Sequence, residues 1–218
     1  MTRDPNSRVM IRAFLNDESP LAVGVEIMDI DTGSVMVVRV LREFINERGH
    51  KVGDTLSDAE AEEIVDASRV CECAEAGLRL LVYTDNSKRG LERKLRAKGY
   101  DRDVSECASE ALAKMGYINE SSQIERRGRV LAERKLRGKR RIAADLGAIG
   151  YDRDAVSDWL RDCGIDFGEI CARSIEKKGG LPPREDKDGR RRLISYLYRQ
   201  GFTGEDIRAA ARILNEKE

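Results

Sequence analysis

The sequence predicts a mainly α protein, built of three tandem three-helix units of helix-turn-helix type behind a small strand-containing N-terminal module. Three observations carry this prediction. A pattern recurs without gaps every 51 residues, glycines stand at the same place in each copy, and apolar alternation of period two is confined to the start of the chain. A fixed internal period implies stacked units that share a core. The predicted segments are 1–56 for the strand-rich module, 57–117 for a linker helix and the first repeat, 118–168 for the second repeat and 169–218 for the third.

Within 1–56, Val9, Ile11, Ala13 and Leu15 alternate with other residues, as do Leu21, Val23, Val25 and Ile27. Both runs read as strands. Asp31-Thr32-Gly33-Ser34 is a turn. The run from Val35 starts as a strand and is expected to turn helical by Arg39 and end before Gly49. Met1 to Ser7 is short and polar, unlike a signal peptide. Ser57-Asp58-Ala59-Glu60 is a capping box, and the helix it opens runs on to about Tyr83. The caps and the period are complete without the module, so 57–218 is expected to fold when 1–56 is deleted.

Each repeat then reads as helix, glycine stop, helix. Leu91, Ile142 and Leu193 coincide, as do Leu95, Leu146 and Leu197, then Gly99, Gly150 and Gly201, then Tyr100, Tyr151 and Phe202. The leucines are four apart and share one helix face. The glycine takes the left-handed conformation that ends the helix. Asp101, Asp152 and Thr203 are placed to cap the next helix. Upstream, Gly77, Gly128 and Gly179 keep the period, each four residues after an apolar residue (Cys73, Ile124, Ile175). Glycine inside a helix costs roughly 1 kcal/mol against alanine, so its recurrence predicts a close helix crossing at each site. Pro182-Pro183 must stop the first helix of the third repeat near Lys178.

Charged residues are 37% of the chain and aromatics 5%, which fits a solvated helical protein better than a sheet enzyme. No apolar run approaches the ~20 residues of a membrane span. Five cysteines without framework spacing point to a reduced, cytoplasmic protein. The zero net charge hides a split. Up to Asp66 there are 7 Lys and Arg against 14 Asp and Glu; the remainder holds 33 against 26. Nine cations lie between Arg126 and Arg141, with Glu133 the only acid among them. Such asymmetry fits a polyanionic or acidic partner for the repeats; a solvated helix face that binds nothing has the same composition.

Lys88-Arg89, Lys139-Arg140-Arg141 and Arg190-Arg191-Arg192 each open a predicted helix. The helix dipole disfavours cations there by ~0.3–1 kcal/mol each. Cations beside free N–H groups make an anion site, so these eight residues, with Arg93, Arg126 and Arg127, are the candidate partner- or DNA-binding side chains. Inheritance by duplication gives the same pattern without a ligand. If the 139–141 cluster only binds, replacing it by glutamate should keep or raise stability. No catalytic, metal or cofactor site is read. His50 is the only histidine, in a polar turn that reads as surface, and Cys71-x-Cys73 is a lone pair whose Cys73 aligns with core isoleucines. No phosphate-binding glycine loop is present. Tyr100, Tyr151 and Phe202 suit packing better than base stacking.

Three stretches together resemble the RecX family, bacterial regulators of the RecA recombinase. They are S-K-R-G-L-E-R-K-L-R-A-K-G-Y (87–100), A-L-A-K-M-G-Y-I-N-E (111–120) and G-K-R-R-I-A-A-D-L (138–146). R-R-L-I-S-Y-L-Y-R-Q-G-F (191–202) is similar to the family's third repeat, and the likeness covers about 67–218. Glu120-Ser121-Ser122 and Pro182-Pro183 depart from the family pattern. The resemblance implies a cytoplasmic, non-enzymatic protein, and a monomer is expected. It implies binding to RecA filaments on single-stranded DNA, with suppression of ATP hydrolysis and strand exchange. The residues alone also admit a stand-alone helix-turn-helix DNA-binding module or a helical protein scaffold.

Overall fold

The computed structural model describes residues 9–216; the polar start, Met1 to Ser7, lies outside them. The chain divides into two compact units after Ile118. The first holds β1 (Val9–Leu15), β2 (Ala22–Asp29), β3 (Val35–Leu41), α1 (Arg42–Arg48), β4 (Thr55–Leu56), α2 (Asp58–Tyr83), α3 (Lys88–Ala97) and α4 (Arg102–Lys114). The second holds α5 (Glu120–Arg129), which continues as a π-helical turn over Val130–Arg134, then α6 (Lys139–Ile149), α7 (Arg153–Asp162), α8 (Phe167–Lys177), α9 (Lys187–Arg199) and α10 (Gly204–Asn215). The predicted class, a mainly α chain of three-helix repeats behind a small sheet, is the one observed.

The sheet is antiparallel in the order β3-β2-β1-β4. Val9 pairs with Asp29 and Leu15 with Gly24, across a bulge between Ile11 and Ala13. Ala22 pairs with Leu41 and Met28 with Val35. At the β2–β3 turn, Asp29 Oδ1 accepts from the N–H groups of Asp31 and Thr32 at 3.0 Å each. Arg39 is still strand, opposite Gly24, so α1 begins three residues later than the sequence indicates. Side chains pointing to one face, among them Val9, Ile11, Val25 and Val40, are buried with Ala61 and Ile64 of α2. β4 is too short to show a period and escapes sequence reading. His50 is half-buried, its ring centroid 6.5 Å from that of Phe44, rather than on the surface.

The Ser57 capping box forms, with Glu60 N–H donating to Ser57 Oγ at 3.3 Å and Ser57 N–H to Glu60 Oε2 at 2.8 Å. The helix it opens runs unbroken to Tyr83. Leu21, Ala22 and Leu41 share a core with Cys73, Leu91, Leu95 and Leu112. Deleting 1–56 therefore strips apolar cover from the first repeat. The first repeat is expected to be less stable without 1–56, since burial of that surface drives the packing.

Arg39 ties the sheet to α2. Its guanidinium meets Asp17 at 2.7 and 2.9 Å and Glu75 at 2.7 Å. Those hydrogen bonds hold the Asp17 carboxyl well below its ordinary range, at about 2. A carboxyl with a depressed folded-state value contributes stability above its unfolded value, near 4. That contribution is lost as pH falls through about 2. Asp17→Asn is expected to cost roughly 0.2–1 kcal/mol at pH 7 and only a small part of that at pH 2. Urea denaturation at the two pH values checks this; an equal loss at both would remove the ion pair as the cause.

The repeat signature is realised bond for bond. After each helix stop, the aromatic N–H reaches back to the leucine carbonyl: Tyr100 to Leu95 at 3.3 Å, Tyr151 to Leu146 at 3.3 Å and Phe202 to Leu197 at 3.2 Å. The intervening glycines have φ of 98°, 112° and 89°. Leu95, Leu146 and Leu197 are fully buried, as are Tyr151 and Phe202, so the aromatics pack. The buried Tyr151 hydroxyl donates to Gln123 Oε1 at 2.8 Å. Asp152 caps α7 and Thr203 closes a capping box on α10. Asp101 makes no cap bond and pairs with Arg69 instead.

The glycine crossings hold for two repeats of three. A Cβ on Gly77 of α2 would lie 2.8 Å from Leu112 of α4, and one on Gly128 of α5 would lie 2.2 Å from the Trp159 ring of α7. Gly179 lies past the end of α8, with φ of 105° and no atom near its Cβ position. The third crossing falls to Gly168 of α8, where a Cβ would sit 2.8 Å from Ala209 of α10. The pair Gly128 and Gly147 makes a signed test. Gly128→Ala should cost about 1–3 kcal/mol by overpacking. Gly147→Ala, at an exposed position of α6 with nothing within 4 Å, should add about 0.5–1 kcal/mol by helix propensity. Thermal denaturation of the two single mutants must show opposite signs.

All five cysteines are unbonded; Cys71, Cys73, Cys163 and Cys171 are buried and Cys107 is exposed. Burial pushes the thiols of Cys71 and Cys73 up to about 11 and that of Cys171 up to about 12. Among the described residues, no group of three or more His, Cys, Asp and Glu side chains is disposed to hold a metal. No helix there is long and apolar enough to cross a membrane.

Candidate partner-binding surface

Two of the three basic clusters stand at helix starts and the third does not. α3 starts at Lys88 behind the Ser87 cap, whose Oγ accepts from Gly90 N–H at 3.0 Å. α6 starts at Lys139 behind Gly138. By the period, α9 should start behind Gly189. It starts earlier, at Lys187, because Asp186 accepts from Gly189 N–H at 2.8 Å and caps it. Arg190, Arg191 and Arg192 thus lie in the second turn, past the reach of the dipole's end.

At the start of α6, two of the N–H groups an anion would use are already engaged. Gly138 N–H donates to Gln200 O at 2.9 Å and Arg140 N–H to Gly201 O at 3.2 Å. The carbonyl end of α9 thus abuts the N–H end of α6. A Cβ on Gly138 would lie 2.3 Å from the Gly201 carbonyl carbon, and one on Gly201 would lie 2.2 Å from Arg141 N. Only two glycines allow this approach. The negative end of α9 compensates the cations of α6, which removes the reason for taking them as misplaced.

Many candidate side chains already have work within the fold. Lys88 pairs with Glu110 at 2.6 Å. Lys139 lies 5.2 Å over the Phe167 ring, and Arg141 pairs with Asp145 at 2.9 Å. Arg190 Nε donates to the carbonyls of Pro182 and Pro183, 3.1 Å from each, and so holds the loop that the prolines create. Arg93 and Arg126 are exposed and Arg127 is half-buried. Arg89, Arg140, Arg191 and Arg192 are exposed and form no ion pair among the described residues. The first three of these are 51 residues apart, so one exposed arginine per repeat stays in register. Arg134 and Lys135 share this exposure; the sequence shows them only as part of the 126–141 run. Within that run Arg129 binds Glu125 at 3.2 Å and Arg137 binds Gln200.

The fold defines the class as a helical-repeat protein of tandem three-helix units. The family model for the third three-helix domain of RecX matches residues 169–210. The regulatory protein RecX of Pelodictyon phaeoclathratiforme is 32% identical over 138 residues, 63% of this chain and 85% of that protein. The regulatory protein RecX of Halorhodospira halophila is 31% identical over 144 residues, 66% of this chain and 89% of that protein. A crystal structure of a regulatory protein RecX matches with a TM-score of 0.64 at 14% identity, covering 94% of this chain and 99% of that one. RecX from Lactobacillus salivarius matches with a TM-score of 0.59 at 19% identity, covering 68% and 98%; both structures attest the fold. The chain belongs to the RecX family.

Proposed function

We propose that this chain is a non-enzymatic cytoplasmic regulator that binds RecA filaments on single-stranded DNA as a monomer. It restrains the ATPase, recombinase and coprotease activities of RecA in DNA repair. Beside membership of the family, the observation that carries this reading is the register of Arg89, Arg140 and Arg191, exposed once per repeat and without an ion pair among the described residues. A filament offers acidic and phosphate groups at regular intervals, and a repeat protein meets such a ligand with one side chain per unit. Occupied cations such as Lys88 and Arg190 serve the fold instead.

The test is RecA ATP hydrolysis on single-stranded DNA with this protein titrated in. Inhibition at protein-to-RecA ratios well below one is expected. Full inhibition only at stoichiometric coverage of the DNA, together with binding of bare DNA that falls steeply with salt, would replace this reading with that of a plain DNA-binding module.

A further inference from the structure

A groove of about 700 Å³ lies in the first unit between α1, α2 and α4. Its floor is apolar, with Leu41, Phe44, Ala67, Val70, Val104 and Ala111. Its charged lining is one-sided: seven carboxylates against Arg69 and Lys114. Arg69 is already paired with Asp101, and Lys114 with Glu47 at 3.5 Å. Glu43, Asp66, Asp103 and Glu106 form no ion pair among the described residues. Glu43 buries its Oε2 there without a hydrogen-bond partner, at the cost that any buried acceptor left unsatisfied incurs.

We infer that this groove is a docking site for a basic amphipathic helix of a partner protein. Shape and charge agree on that occupant. The α2 wall presents residues 63, 66, 67 and 70, a face about 10 Å long at ~1.5 Å per residue, and the α4 wall runs from 103 to 114, about 16 Å. That length takes two to three turns of helix, whose apolar residues at i, i+3, i+4 and i+7 meet the floor. Lysines and arginines flanking that stripe meet Asp66 and Glu106 on opposite walls. The carboxylates repel nucleic acid, so the groove is distinct in chemistry from the arginine register, and the inference does not rest on the proposed action on RecA.

The probe is a designed, fluorescein-labelled peptide of about 15 residues, with leucines at that spacing and lysines beside them. Fluorescence anisotropy should show saturable binding to the full chain that weakens as salt rises. D66K/E106K should lower the affinity at least about tenfold, with an unchanged thermal midpoint as the folding control; E106K alone serves if the double variant is unstable. An analogue with glutamates for the lysines should not bind. Equal binding of the two peptides, equal binding by wild type and E106K, or no binding to wild type overturns the proposal. So does sedimentation showing a dimer that D66K/E106K abolishes, since the occupant would then be a second copy.

Discussion

Gly201→Ala is expected to cost about 3–4 kcal/mol, the largest loss foreseen for any one-carbon change in this chain. Two terms add. At φ of 89°, a side chain meets left-handed strain of roughly 1–2 kcal/mol. The new methyl would also lie 2.2 Å from Arg141 N and 2.6 Å from its Cβ. Backbone cannot step aside as a side-chain tip can. The junction must open, and the bonds from Gly138 to Gln200 and from Arg140 to Gly201 are lost at about 1 kcal/mol each. Gly99→Ala supplies the comparison. It has the same place in the repeat and φ of 98°, but nothing lies within 4 Å of its Cβ position. It should cost only the conformational 1–2 kcal/mol. Urea denaturation of the two mutants isolates the junction; equal losses would show that the close approach contributes nothing.

The second large effect is functional. R89E/R140E/R191E should weaken inhibition of RecA ATP hydrolysis by at least about an order of magnitude, because like charges across an interface cost several kcal/mol. Stability should stay within about 0.5 kcal/mol of wild type, as none of the three side chains forms an ion pair among the described residues and Arg89 lies at a helix start whose dipole favours an acid. K139E/R140E/R141E should behave differently. It removes the Lys139 contact with Phe167, places a carboxylate at 141 beside Asp145, and sets acids against the carbonyl end of α9. A loss of about 1–2 kcal/mol is expected, which corrects the sequence-based expectation of equal or greater stability. Unimpaired inhibition by the 89/140/191 variant at wild-type stability would remove the arginine register from the interface.

The sequence displays what is local and repeated. The leucine, glycine and aromatic positions act through bonds five residues apart, so their spacing alone gives the helix stops. The crossing at Gly128 is legible because nothing else explains a glycine there. What escapes depends on contacts distant in sequence. Nothing in the sequence around Gly138 announces its close approach to Gly201. Asp186 outcompetes the position that the period assigns to the α9 start. Leu21 and Leu41 belong by pattern to the sheet module, yet they complete the core around Leu91 and Leu95. Among the candidate cations, composition cannot separate Arg89, which is exposed and forms no ion pair among the described residues, from Lys88 beside it, which is held by Glu110. The groove carboxylates, scattered over three helices, have no sequence signature.

The burial of four thiols out of five makes the chain its own reporter of local opening. Only a thiolate alkylates. At neutral pH Cys107 is therefore expected to react first with iodoacetamide, and one adduct should form well before any other. Cys71 and Cys73 are raised to about 11 and must wait for the first unit to open. Cys163 and Cys171 wait for the second. Mass spectrometry of proteolytic peptides after timed alkylation then yields a separate opening rate for each unit, from the unmodified protein and without an engineered label. Simultaneous labelling of both buried pairs would mean that the two units open together.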